Sequence, residues 1–184
     1  MTRLPLLCAL ALATIVAACV RVPSRQESGP DRDRLYSGLI GQWRGTLEVR
    51  DYRDSARRVS LPTELRVLPV PDRDGLELQF RYHDGMGKRV TDESQWHFNK
   101  TLTLAEWRGE DDLKTQAYSI VSHTGGGNAP LRLVLETDGT ADSRPARIRE
   151  TVEVTPGEVR VTKETRKIGE SFAFQQKYVL RRAD

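Results

Sequence analysis

Residues able to do chemistry are sparse in this chain of 184 residues, and they fall into two groups. One is Cys19, a thiol directly behind an apolar run. The other is Glu150, Lys163 and Gln176, with Tyr178 two positions further on. A carboxylate and an ammonium set among apolar residues each need a partner, because stranding either one is costly. Such a row can satisfy itself and hold the register of a wall. It can grip the polar end of a ligand. An amine with a depressed pKa could also act as a base or form an imine. No nucleophile–base pair, metal set or cofactor motif accompanies the row, so neither enzymatic activity nor a cofactor is expected. His83, His97 and His123 are scattered, without metal-ligand spacing. Glu110-Asp111-Asp112 reads as a solvated hairpin tip and lacks the spacing of a calcium loop. Gly125-Gly126-Gly127-Asn128 lacks the Gly-Lys-Ser/Thr ending of a phosphate loop and reads as a loose rim.

The elements that must position these residues are strands. Leu35, Tyr36, Leu39 and Ile40 fit one face of a short helical turn. Beyond them the apolar residues alternate with period two and turn residues recur. Ten strands are predicted, at 41–51, 60–69, 75–83, 88–99, 101–107, 113–123, 131–137, 146–155, 158–168 and 171–182. Asp138-Gly139, Pro156-Gly157 and Gly169-Glu170 are among the predicted turns. Short hairpins in unbroken order imply an all-β, up-and-down antiparallel sheet, and closure into a single barrel would remove its exposed edges. The second strand, with Pro62 and Pro69, is the weakest of the ten.

Two-residue loops at Pro156-Gly157 and Gly169-Glu170 set a register. They place Glu150 opposite Lys163, Lys163 opposite Gln176, Val161 opposite Tyr178, and Ile168 opposite Ser171. Alternation then turns Ile148, Val152, Val154, Val159, Val161, Phe172, Phe174, Tyr178 and Leu180 inward, with the polar row among them. Trp43, Leu47, Leu65, Val67, Leu76, Leu78, Phe80, Tyr82, Val90, Trp96, Phe98, Leu102, Leu104, Leu131, Leu133 and Leu135 are predicted to share that interior.

The N-terminus carries an address. Arg3, the apolar run from Leu4 to Ala18 and the small residues before Cys19 make a secretory signal over 1–18, shorter than the roughly 20 residues a bilayer span needs. Val16-Ala17-Ala18-Cys19 resembles the lipobox of bacterial lipoproteins. That resemblance implies cleavage before Cys19, a diacylglycerol on its thiol and a further acyl chain, such as palmitate, on the new amino group. Val20 stands where aspartate marks inner-membrane retention in some bacteria, so the resemblance favours the outer membrane, facing the periplasm. Removal of 1–18 also removes Cys8, and no disulfide can then form within the chain. Residues 19–34 are polar, with Pro23 and Pro30, and read as a tether; 35–184 read as one domain. With 29 basic and 26 acidic residues the net charge is +3, too balanced for a nucleic-acid partner.

Gly41-Gln42-Trp43-Arg44-Gly45, together with Arg181-Arg182 in the last strand, resembles the calycin superfamily, which includes lipocalins and fatty-acid-binding proteins. In lipocalins the tryptophan of Gly-x-Trp packs at the barrel base under a basic residue of the last strand. The resemblance therefore implies a structural role for Gly41 and Trp43, with Arg181 or Arg182 as the cation. Fatty-acid-binding proteins hold a carboxylate with an inward Arg-x-Tyr; here Gln176 and Tyr178 match it, and the arginine is missing. Haem-binding nitrobindin-like barrels share Gly-x-Trp-x-Gly and use a C-terminal histidine, but no histidine follows His123. The expectation is a lipid-anchored envelope protein that binds or carries a small, mainly apolar ligand at Glu150, Lys163, Gln176 and Tyr178. Its alternative is a ligand-free structural or accessory protein acting through its outer surface. A core filled by Phe80, Trp96, Phe98, Phe172 and Phe174 would favour the alternative.

Overall fold

The computed structural model describes residues 29–51, 54, 57–71, 74–83, 87–109, 115–125 and 129–183. The signal at 1–18, Cys19, the tether up to residue 28 and the loop tips at 84–86, 110–114 and 126–128 lie outside the described residues. Among the described residues one helix, α1 (Gly29–Leu39), precedes ten strands. They are β1 (Gly41–Arg50), β2 (Arg58–Pro69), β3 (Leu76–His83), β4 (Arg89–Phe98), β5 (Leu104–Gly109), β6 (Thr115–Thr124), β7 (Leu131–Ala141), β8 (Arg144–Val154), β9 (Glu158–Lys167) and β10 (Ala173–Arg182). Each strand pairs antiparallel with its chain neighbours, and β1 pairs with β10, so the barrel is closed and up-and-down. Closure leaves no edge strand to pair with another chain.

Helix α1 begins six residues before the predicted turn, taking in part of the expected tether. Leu35 and Leu39, four apart on one face, are 0% and 4% exposed against the barrel base. Arg32 pairs with Asp74 at the β2–β3 connection, and the Tyr36 hydroxyl accepts a hydrogen bond from the Phe98 amide at 3.1 Å. A Cβ on Gly38 would come within 2.9 Å of Val154, so the glycine lets the helix lie close to β8. Pro62 sits where β2 has run past its last partner on β3, so no hydrogen bond to β3 is forfeited there.

Four expectations change. The β7–β8 turn lies at Asp142-Ser143, whose φ angles of 49° and 61° make the two-residue hairpin, and Asp138-Gly139 is mid-ladder. In the β4–β5 connection the Asn99 side chain accepts from the Thr103 and Leu104 amides, and Leu102 takes a φ of 49°. That kink shifts the alternation of β5. Ala105 is buried, Trp107 packs against the core, and Leu104, predicted inside, is 39% exposed. On β10 a bulge at Gln175 moves the register by one. Phe174 then faces Glu164, and Phe172 and Phe174, predicted inside, lie on the outer wall. There Phe174 stacks under Arg58 at 4.1 Å and Phe172 under Arg149 at 3.8 Å. The same bulge ends the pairing before Ser171 and leaves Ile168 93% exposed.

Candidate functional site

The register of the last three strands carries the site. Glu150 pairs with Lys163, Lys163 with Gln176, and Val161 with Tyr178, as the hairpin loops imply. All four predicted ligand-contacting residues, Glu150, Lys163, Gln176 and Tyr178, line one interior cavity of about 470 Å³. Its floor is apolar, with Leu39 of α1, Leu65, Val67 and Leu76. Its polar groups gather midway up the wall and towards the ends of the strands remote from α1. The volume lies in the range of small-molecule sites, about 300–1,000 Å³.

Lys163 Nζ lies 3.5 Å from Glu150 Oε1. The Tyr118 hydroxyl donates to the same oxygen at 3.1 Å and sits 3.1 Å from the Gln116 side-chain amide. Burial pushes the Tyr118 phenol well up, and the Glu150 charge and hydrogen bond add to it. Burial also raises Tyr178, helped by Tyr82, Asp92 and Glu150. Both phenols therefore remain protonated donors at neutral pH. Phe80 and Tyr178 stack with ring centroids 4.9 Å apart.

Sequence reasoning missed Tyr118, Gln116, Asp92 and Ser94, all on the cavity wall. A signal existed for each. Asp92 and Ser94 share parity with Val90 and Trp96, and Gln116-Ala117-Tyr118-Ser119-Ile120 alternates in the usual way.

The structural set separates. Trp43, 1% exposed, donates its indole N–H to the Leu39 carbonyl at 2.8 Å. Arg182 lies 4.4 Å over the Trp43 ring and donates to the carbonyls of Ile40, Gly38 and Pro156 at 3.2, 3.1 and 3.2 Å. Gly41 has a φ of 142°, and a Cβ there would stand 2.7 Å from Arg182 Nη1. Gly41, Trp43 and Arg182 thus form one plug between α1 and β1. Arg181 is not part of it: its side chain is 82% exposed and pairs with Glu158 on the outside.

A larger groove, about 780 Å³, lies open on the outer wall between Arg147 and Glu170. Its Arg147 is held by Glu136 and Asp138, and its Lys167 by Asp142. No group of three or more His, Cys, Asp or Glu suited to a metal ion occurs among the described residues.

Fold and cavity define a closed ten-strand antiparallel barrel, plugged at one end and hollow above the plug. No protein-family model matches the chain, and no curated protein sequence does. Among solved structures, it is similar to the crystal structure of Rv2717c from M. tuberculosis, with a TM-score of 0.60. The match covers 82% of this chain and 96% of that one at 14% sequence identity, a likeness of fold.

Proposed function

We propose that this barrel binds or carries a small, mainly apolar ligand, and that a lipid on Cys19 holds it at the outer membrane, facing the periplasm. The cavity is the observation that carries the first half. Phe172 and Phe174 sit outside, so Trp96, Phe80 and Phe98 leave about 470 Å³ of interior space. Apolar residues at the floor and donors and acceptors higher up suit an amphipathic molecule, its polar end near Glu150, Lys163, Gln176, Tyr118 and Tyr178. The calycin-like plug of Gly41, Trp43 and Arg182 is consistent with such a carrier.

The lipobox-like Val16-Ala17-Ala18-Cys19 carries the second half. One acyl chain binds a membrane marginally, whereas two or three anchor firmly. Nine residues lie between Cys19 and the start of α1 at Gly29, a reach of at most about 36 Å over the ten steps. The plugged end would then face the membrane and the opposite end would face away.

Native mass spectrometry of protein purified from its own host tests both halves. The expected spectrum shows an N-terminus at Cys19 bearing a diacylglycerol and an acyl chain, and a released small molecule. An unprocessed N-terminus would refute the anchor. The absence of any co-purifying molecule, with no thermal shift on adding lipids, haem or aromatic compounds, would refute the carrier and favour a ligand-free accessory protein.

A further inference from the structure

The cavity's charges do not balance. Its wall carries two carboxylates, Glu150 and Asp92, one ammonium, Lys163, and neither arginine nor histidine. Lys163 is taken by Glu150 at 3.5 Å. Asp92, opposite Phe80 on the β3–β4 ladder, is a solvent-exposed carboxylate at the cavity mouth, with no ion pair or hydrogen bond to a described residue. It stands near the end of the barrel remote from α1, beside an aromatic wall of Phe80, Tyr82 and Tyr178. Among the described cations at that end, Arg50 and Lys167 hold Asp142, Arg58 holds Glu48, Lys88 is not free, and Arg89, three residues from Asp92 on β4, falls on the opposite face of the strand.

A lone carboxylate beside aromatic rings, above an apolar floor, is a pairing that recognises ammonium groups. The ring faces attract the cation through their quadrupoles and the carboxylate supplies the opposite charge. We infer that the ligand is an amphiphilic amine, its ammonium between Asp92 and the Phe80–Tyr178 pair and its apolar part on the floor formed by Leu39, Leu65 and Leu76. This rests on the carrier reading above and names the class of its ligand. The missing arginine at Gln176 agrees with it, since a carboxylate ligand would find only the already paired Lys163. The Tyr178 phenol feels the charges of Asp92 and Glu150 after the larger effect of burial, which places all three groups in one electrostatic neighbourhood.

The test compares three probes of equal chain length below their micellar concentrations: decyltrimethylammonium, decanol and decanoate. Binding to the mature protein is read by calorimetry and by Trp96 and Trp107 fluorescence. Decyltrimethylammonium should bind at least about tenfold tighter than either of the others. Asp92→Asn should remove that preference while leaving decanol binding unchanged, and Asp92→Glu should restore most of it, each variant keeping the wild-type unfolding midpoint. Decanoate binding most tightly, or a preference for the amine that survives Asp92→Asn, would overturn the ammonium assignment and leave the carrier reading standing. Failure of all three probes to bind would overturn both.

Discussion

The two ends of this barrel treat polar groups in opposite ways. At the plugged end most polar groups are held by protein atoms, although Arg32 Nε is buried without a hydrogen-bond partner among the described residues. Arg182 donates to three main-chain carbonyls, the Trp43 N–H to a fourth, Tyr36 accepts from the Phe98 amide and Arg32 pairs with Asp74. Towards the other end the polar groups satisfy one another only in part. Glu150, Lys163 and Tyr118 form a cluster, and the solvent-exposed Asp92 has no ion pair or hydrogen bond with a described residue. One end is largely completed by folding, while the other leaves polar groups facing the cavity. The difference lies in what surrounds each group. The carbonyls of Gly38, Leu39, Ile40 and Pro156 belong to α1 and to short connections that the fold fixes, whereas side chains on a cavity wall can exchange partners.

The comparison is broken most directly by removing the plug. Trp43→Ala should cost about 3–5 kcal/mol, measured by denaturant unfolding, because it deletes a fully buried ring and strands the Leu39 carbonyl. A loss under about 1 kcal/mol would mean that the sealed end does not hold the fold together. Gly41→Ala should cost about 1–3 kcal/mol, since the new methyl meets Arg182 at a φ of 142°.

The hollow end should respond differently. Lys163→Met alone leaves Glu150 mostly buried without its ammonium, and a loss of about 1–3 kcal/mol is expected. Glu150→Gln added to it should recover much of that loss, because an amide and a thioether need no counter-charge. A full double-mutant cycle in stability separates the pair from its surroundings. The informative outcome is a double variant of near wild-type stability with altered ligand binding, whereas unchanged binding would reduce the row to structure.

On the outer wall beyond the cavity, Glu136 takes hydrogen bonds from Arg149 at 2.6 and 2.8 Å and from Arg147 at 3.1 Å. Burial would raise its carboxyl, but the bonds and charges of the two arginines outweigh this and hold it below the ordinary glutamate range. A carboxyl with a lowered pKa in the folded state stabilises the protein above its unfolded pKa and loses that contribution as the pH falls through the folded value. Glu136→Gln should therefore cost about 1–2 kcal/mol at neutral pH. The difference from wild type should shrink as the pH is taken below the ordinary glutamate range, measured as unfolding midpoints across an acid series.

The polar row was legible in the sequence because it rides on Pro156-Gly157, a turn that fixes pairing by its length, and the barrel followed from hairpins in unbroken order. Three features were hidden, each for a local reason. Asp138-Gly139 is the stronger turn signal in composition, yet Asp142 and Ser143 adopt the positive φ angles and extend both strands. Leu102 adopts a conformation unusual for a branched residue, held by the Asn99 cap, and reverses which residues of β5 face inward. The bulge at Gln175 has no sequence mark, since any residue can be the extra one. Its side chain is instead tied to Thr165 Oγ1 at 2.6 Å, a contact between residues ten apart.

That bulge decides whether the hollow end is hollow, and the smallest predicted effect tests it. If Phe172 and Phe174 filled the interior, truncating either would cost about 3–5 kcal/mol, as for any buried ring. On the outer wall each loses a stacked arginine and part-exposed area, so Phe172→Ala or Phe174→Ala should cost only about 0.5–1 kcal/mol. Neither variant should change the affinity of a probe bound inside. Deleting Gln175 provides a second test. Without the extra residue Phe174 directly precedes the inward Gln176 and stays opposite Glu164, so plain alternation keeps both rings on the outer wall. Such a variant should keep interior binding, whereas its loss would mean that the bulge shapes the cavity by more than the placement of the two rings.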